Sequence, residues 1–241
     1  MADYDRQSLN SSANAGAIID EGLRTHMLRV YNYMGIGLAI TGAVAYFFSQ
    51  WAVSSPEIFD AVYVSPLKWV VMLSPFAFVL ALSFGINKMS FATAQLTFWA
   101  FATVMGLSLS SIFFVYTGAS ITRVFFITAA MFGTMSLYGY TTKRDLTAMG
   151  SFLMMGLIGI IIAMVVNMFL QSSALQFGIS VLGVLIFVGL TAYDTQKIKE
   201  MYQELDESEV MGKKAIMGAL TLYLDFINLF LMLLRLFGNR N

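Results

Sequence analysis

The 241-residue chain has no cysteine, one histidine and three prolines, and only 12% of its residues are charged. Without cysteine there is no disulfide framework, no thiolate zinc site and no thiol chemistry. The single histidine, His26, cannot build a His-rich metal cluster; it stands just before the first apolar run and reads as an interfacial polar residue. The charged fraction is about half the ~25% usual for a soluble domain. Fourteen basic residues cancel fourteen acidic ones, so no basic surface points to nucleic acid.

What the chain has in excess is apolar. Hydrophobic residues make up 58%, and they come in long runs rather than in amphipathic stripes. No water-soluble fold of this length covers so much apolar surface with so few charges. The fold class is therefore all-α: a polytopic membrane protein whose partner is the lipid bilayer.

Seven runs are long enough to cross ~30 Å of hydrocarbon at about 1.5 Å per residue: 28–49, 67–87, 91–115, 121–141, 148–170, 174–196 and 213–237. They define a transmembrane domain over 28–237, preceded by a polar tail at 1–27 and followed by a short tail at 238–241. The tail shows no basic region leading into a short apolar core, so the first span is expected to stay as an anchor. Ile19, Leu23 and Met27, four residues apart, outline an amphipathic stretch suited to the membrane surface. Pro66 suits the first turn of the second span, and Pro75 inside that span should kink it unless a neighbour satisfies the freed carbonyl.

Basic residues set the orientation. With the N-terminus cytoplasmic, ten fall inside (Arg6, Arg24, Arg29, Lys88, Lys143, Arg144, Lys197, Lys199, Lys213 and Lys214) and four outside (Lys68, Arg123, Arg235 and Arg240). A re-entrant last segment would move Arg235 and Arg240 inside as well, but its length favours a full crossing. Small residues at spacings of three and four mark packing stripes: Gly35, Ala39 and Gly42; Ala129, Gly133 and Ser136; and Gly156, Gly159, Ala163 and Asn167. Spans 1–3 and 4–6 start from opposite sides, as an inverted repeat requires, but no sequence symmetry links them.

Twelve of the fourteen acidic residues fall in tails and connections, leaving Asp194 near the inner end of span six and Asp225 in the middle of span seven. A carboxyl at membrane depth costs at least ~2.5–3.5 kcal/mol on insertion scales, and it survives by pairing, by wetting, by facing protein or by holding a proton. Gly218, Thr221 and Asn228 share the Asp225 face of its helix. In an antiparallel hairpin, residues equidistant from the apex lie at equal depth. The midpoint of 194 and 225 falls at Glu209–Val210, at the end of the charged connection 197–212, so the two carboxyls can face each other. Two such groups in low dielectric cannot both ionise cheaply, and one proton is shared. Their hard oxygens also suit Ca²⁺, so protons and calcium compete for them.

The segments 191–196 (Thr-Ala-Tyr-Asp-Thr-Gln), 222–230 (Leu-Tyr-Leu-Asp-Phe-Ile-Asn-Leu-Phe) and 132–146 (Phe-Gly-Thr-Met-Ser-Leu-Tyr-Gly-Tyr-Thr-Thr-Lys-Arg-Asp-Leu) resemble the Bax inhibitor-1, or transmembrane Bax inhibitor motif, family. The overall sequence is similar to inner-membrane members of Gram-negative bacteria. The resemblance implies seven helices with the last at the centre, and a pH-sensitive calcium leak gated by an aspartate pair. Asp194 and Asp225 match that pair, as the pH sensor and as a contact for passing Ca²⁺; Thr221 and Asn228 support it. The family also carries a basic residue near the inner end of span two, where this chain offers Lys88, which lacks the bidentate fork of arginine.

Three functions remain in order: the calcium leak, with no cofactor beyond Ca²⁺ as permeant or bound ion; a non-transporting regulator that binds another membrane protein such as a protease; and a proton-coupled transporter. An enzyme is the least expected. No span holds a histidine, no HExxH or GxSxG occurs, and neither aspartate follows the Gly-x-Gly run of aspartyl intramembrane proteases.

Overall fold

The computed structural model describes the backbone of residues 2–241 and the side chains of residues 21–241. Seven long helices follow one another: α1 (Ala2–Ser54), α2 (Leu67–Gly85), α3 (Phe91–Leu109), α4 (Gly118–Thr141), α5 (Thr147–Leu170), α6 (Ser173–Glu200) and α7 (Ser208–Phe237). Each is long and apolar enough to cross a membrane. Single short turns of helix at Pro56–Phe59, Asp60–Val64, Ile86–Lys88 and Ile112–Val115 fill the connections. The bundle has two ends. The connections 86–90, 142–146 and 201–207 lie at the tail-side end; 55–66, 110–117, 171–172 and the C-terminus lie at the far end.

Local chemistry sets the boundaries. Ser90, Thr117 and Ser172 each accept a hydrogen bond from the backbone N–H three residues on, satisfying orphan donors at the starts of α3, α4 and α6. α5 closes on Gln171 in the left-handed region (φ 48°), and Asn167 Oδ1 accepts from the Ser172 N–H at 3.0 Å across that turn. Asn167 thus caps a connection rather than ending a packing stripe. Pro66 sits immediately before α2, and Pro75 lies buried within it. The Val71 carbonyl that Pro75 leaves without its helical donor accepts from Ser74 Oγ at 2.9 Å.

α7 is the axis. Its most apolar stretch is 72% buried, against 39% for α6, 11% for α2 and 6% for α5. α1, α3, α4 and α6 surround it, with α2 leaning on α3 and α5 on α6. The order follows from how sequence neighbours pack: short connections make antiparallel hairpins, and the two-sided helix ends up inside. α7 also crosses without a break. Gly212 near its start lies against Phe91 at the tail-side end. Beyond its other end, the Asn239 carbonyl accepts from Thr117 N and the Asn241 N–H donates to Val115 O, both at 3.0 Å. The re-entrant alternative is thereby excluded.

Three expectations change. The Gly35, Ala39 and Gly42 face of α1 is exposed, while Gly37, Thr41 and Ala45 on another face are buried. Spacing identifies a face but not what it meets. His26 faces protein rather than solvent: it is 4% exposed and packs against the tilted ring of Tyr202, centroids 5.7 Å apart, beneath the α6–α7 connection. Leu23 and Met27 pack on the core; the Ile19 side chain lies outside the described residues, and α1 runs unbroken through this stretch.

α4 and α6 approach closely at Gly139, where a Cβ would collide with the backbone carbonyl of Ala192. Gly139→Ala should lower the midpoint of thermal unfolding in detergent by an amount matching ~1–3 kcal/mol of overpacking, whereas Gly35→Ala, in open space, should leave it unchanged. Equal midpoints for both would show that this contact does not hold α4 to α6.

Candidate functional site

The site grows out of the register of α6 against α7. Ile198 lies beside Gly218, and Gly183 beside Met232; both pairs are symmetric about Glu207–Ser208, close to the midpoint of Asp194 and Asp225. The two carboxyls accordingly come within hydrogen-bonding reach of each other. Asp225 is 5% exposed and Asp194 is half-buried. The connection that sets this register is tied down by Lys214, whose Nζ donates to Met201 O at 2.8 Å and to Asp206 Oδ2 at 2.6 Å.

The pair has few other partners. Asp225 Oδ2 is buried and receives no hydrogen bond from the described residues. Facing it is another carboxyl, which can donate only when it carries a proton. One proton between the two groups turns a repulsive contact into a charge-assisted hydrogen bond; none leaves two like charges in a medium that screens them poorly. The cation acting on Asp194 is Lys197, one turn along the same helix and nearer the tail-side end.

Of the other residues singled out from the sequence, Gly218 faces Ile198 and Val30. Thr221 and Asn228 bond back to their own helix, at Met217 O (3.1 Å) and Leu224 O (2.9 Å). Lys88 is exposed in the turn after α2 and forms no ion pair among the described residues. Lys197, and not Lys88, is the positive charge at the pair, because α2 packs on α3 at the periphery.

Three hydrogen-bonded groups around the pair went unread in the sequence. Tyr31 Oη meets Ser136 Oγ at 2.6 Å, and Ser136 Oγ meets Thr195 Oγ1 at 2.9 Å, so one hydroxyl chain joins α1, α4 and α6. Thr41 of α1 joins Tyr223 Oη of α7 at 2.6 Å and donates to Ala102 O of α3 at 2.8 Å. Gln196 clips the α4–α5 connection onto α6: its Oε1 accepts from Leu146 N and its Nε2 donates to Arg144 O, both at 2.8 Å. In that connection the Thr147 side chain and N–H hold the Asp145 carboxyl below its ordinary pKa. No sequence signal separates these hydroxyls from the many that bond to their own helix one turn back.

Fold and site together define a polytopic α-helical membrane protein with a carboxyl pair enclosed between its last two spans. The family model "Inhibitor of apoptosis-promoting Bax1" matches residues 23–241, and the chain belongs to this Bax inhibitor-1 family. It is 48% identical over 240 residues to the uncharacterized protein RP147 of Rickettsia prowazekii, covering 100% of this chain and 99% of that one. It is 48% identical over 222 residues to the inner membrane protein YbhL of Escherichia coli K12, covering 91% and 93%. An uncharacterized protein of Caulobacter vibrioides is 44% identical over 250 residues, covering 99% and 98%.

Gln196→Leu should leave the buried Leu146 N–H without an acceptor, a loss of ~1–3 kcal/mol. Hydrogen exchange at Leu146 should then quicken by roughly tenfold or more while the helices keep their protection. Unchanged exchange there would show that the amide does not hold the connection.

Proposed function

We propose that this protein is a pH-sensitive calcium leak of the bacterial inner membrane, gated by the protonation of Asp194 and Asp225. The observation that carries this reading is the enclosed carboxyl contact between α6 and α7, with no other donor to Asp225 Oδ2 among the described residues. Such a contact has two states of different charge. With one shared proton, the pair carries a single negative charge and latches the two helices through a charge-assisted hydrogen bond. Without it, the helices repel at that point, and the oxygens exposed between them attract a cation.

Ligand number argues for a passing ion rather than a resident one. Ca²⁺ takes six to eight oxygens, whereas two carboxyls offer at most four, and no third acidic or histidine side chain joins them among the described residues. Weak, incomplete coordination suits permeation, since an ion must leave as readily as it enters. The inner-membrane assignment rests on the printed name of YbhL and on the seven spans. The excess of Lys and Arg on the connections at the tail-side end supports a cytoplasmic position for that end.

Calcium uptake into proteoliposomes should vary with pH for the purified protein, by no more than about tenfold per pH unit if one shared proton controls it. Asp225→Asn and Asp194→Asn should each flatten that profile. A mutant profile that keeps the wild-type pH response rejects the aspartate gate. No flux from the wild type at any pH rejects the leak itself and leaves the regulatory role. Orientation has its own test, made clean by the absence of native cysteine. In intact cells Asn241→Cys should react with a membrane-impermeant maleimide and Glu204→Cys should not; the reverse pattern would invert the topology.

A further inference from the structure

α1 and α4 both pack on the central helix and pack only sparsely on each other, joined by the Tyr31–Ser136 hydrogen bond. Between them runs a crevice of about 570 Å³, lined by apolar side chains that include Met27, Met34, Phe132 and Leu137. Its mouth faces the bilayer, because Leu28 and Leu137 on its two rims are 50% and 63% exposed. Its floor is the Tyr31–Ser136 hydrogen bond, which continues through Thr195 onto α6 beside Asp194.

The dimensions are those of one lipid chain. From Arg24 to Met34 the wall spans ten residues of helix, roughly 15 Å, which is half of a ~30 Å hydrocarbon core. Water does not fill such a space, since the lining offers few hydrogen bonds. Charge adds a direction. Arg24 is the one charged residue of the lining, and it lies at the tail-side end, where the exposed Lys143 and Arg144 follow α4. Glu21 and Asp145 are also exposed at this end. Glu21 lies almost one turn before Arg24 on α1, and the Asp145 carboxylate is occupied by the Thr147 N–H at 2.8 Å.

We infer that the α1–α4 crevice is a binding site for one anionic phospholipid of the tail-side leaflet, with an acyl chain between Leu28 and Leu137 and its phosphate on Arg24. This does not rest on the calcium reading. The bound chain covers the outer side of the hydroxyl bridge, so the lipid seals the pair's side of the bundle against water.

Gly133 provides the test, because a Cβ there meets nothing within 4 Å. Gly133 lines the crevice, so Gly133→Leu starts its side chain in open space and directs it into the crevice. Dioleoyl phosphatidylglycerol added to the delipidated, detergent-solubilised protein should raise its unfolding midpoint by about 2–4 °C, more than dioleoyl phosphatidylcholine does. Arg24→Gln should erase the difference between the two lipids, and Gly133→Leu should erase the shift from both while keeping the lipid-free midpoint. Glycerophosphoglycerol, the headgroup without chains, should have no effect. If Gly133→Leu does not fold, Leu137→Trp at the mouth serves instead. Equal shifts from both lipids that survive crevice filling would overturn the site. A full shift from the headgroup alone would make it an anion site and not a lipid site.

Discussion

A carboxyl group inside a membrane protein needs a donor; Asp225 Oδ2 has none among the described residues, and the ionisable group that reaches Asp225 is a second carboxyl, Asp194. The rest of the bundle can be read as the consequence of that contact. Asp225 lies in the most enclosed helix of the seven, so neither lipid nor bulk water resolves its charge. In the proposed reading a proton held with Asp194 resolves it, and the α6–α7 register is then tied to the proton concentration. The same low dielectric that would make two bare charges repel strongly makes the protonated pair a firm latch. A contact of this kind is both structural and responsive, and changing one residue separates the two properties.

The helices around the pair are held by polar contacts aimed between helices rather than by a hydrophobic driving force, which is weak between helices in lipid. Tyr31, Ser136 and Thr195 join α1, α4 and α6. Thr41 joins α1 to Tyr223 of α7 and to the backbone of α3. These bonds leave α2 and α5 outside, α2 leaning mainly on α3 and α5 on α6. The inner helices are thus cross-linked at several depths, and the carboxyl contact between α6 and α7 is the one to which the proposed function assigns a proton.

Much of this was legible in the chain because membrane physics restricts the alternatives. Long apolar runs in water-averse hydrocarbon have to be helices, and the seven runs match the seven helices to within a few residues at most ends, with α1 the exception: it begins at Ala2. The two aspartates stood out because every other acidic residue falls in a tail or connection, and hairpin symmetry then put them at one depth. What was hidden is directional. Spacing placed Gly35, Ala39 and Gly42 on one face but could not tell that it meets lipid. His26 looked interfacial because the helix reaching past it under the α6–α7 connection leaves no mark in local composition. Lys88 looked like a partner by analogy, yet its helix packs on the periphery. The hydroxyl chain and the Gln196 clip depend on which helices meet, and no local pattern encodes that.

The most direct test is infrared spectroscopy of the reconstituted protein at neutral pH, comparing the wild type with Asp194→Asn and Asp225→Asn. The wild type should show the C=O stretch of a protonated carboxyl, sensitive to exchange into D₂O, and both variants should lose it or move it. A wild-type spectrum with only ionised carboxylates, or a protonated-carboxyl band untouched by either substitution, would contradict a proton shared between Asp194 and Asp225.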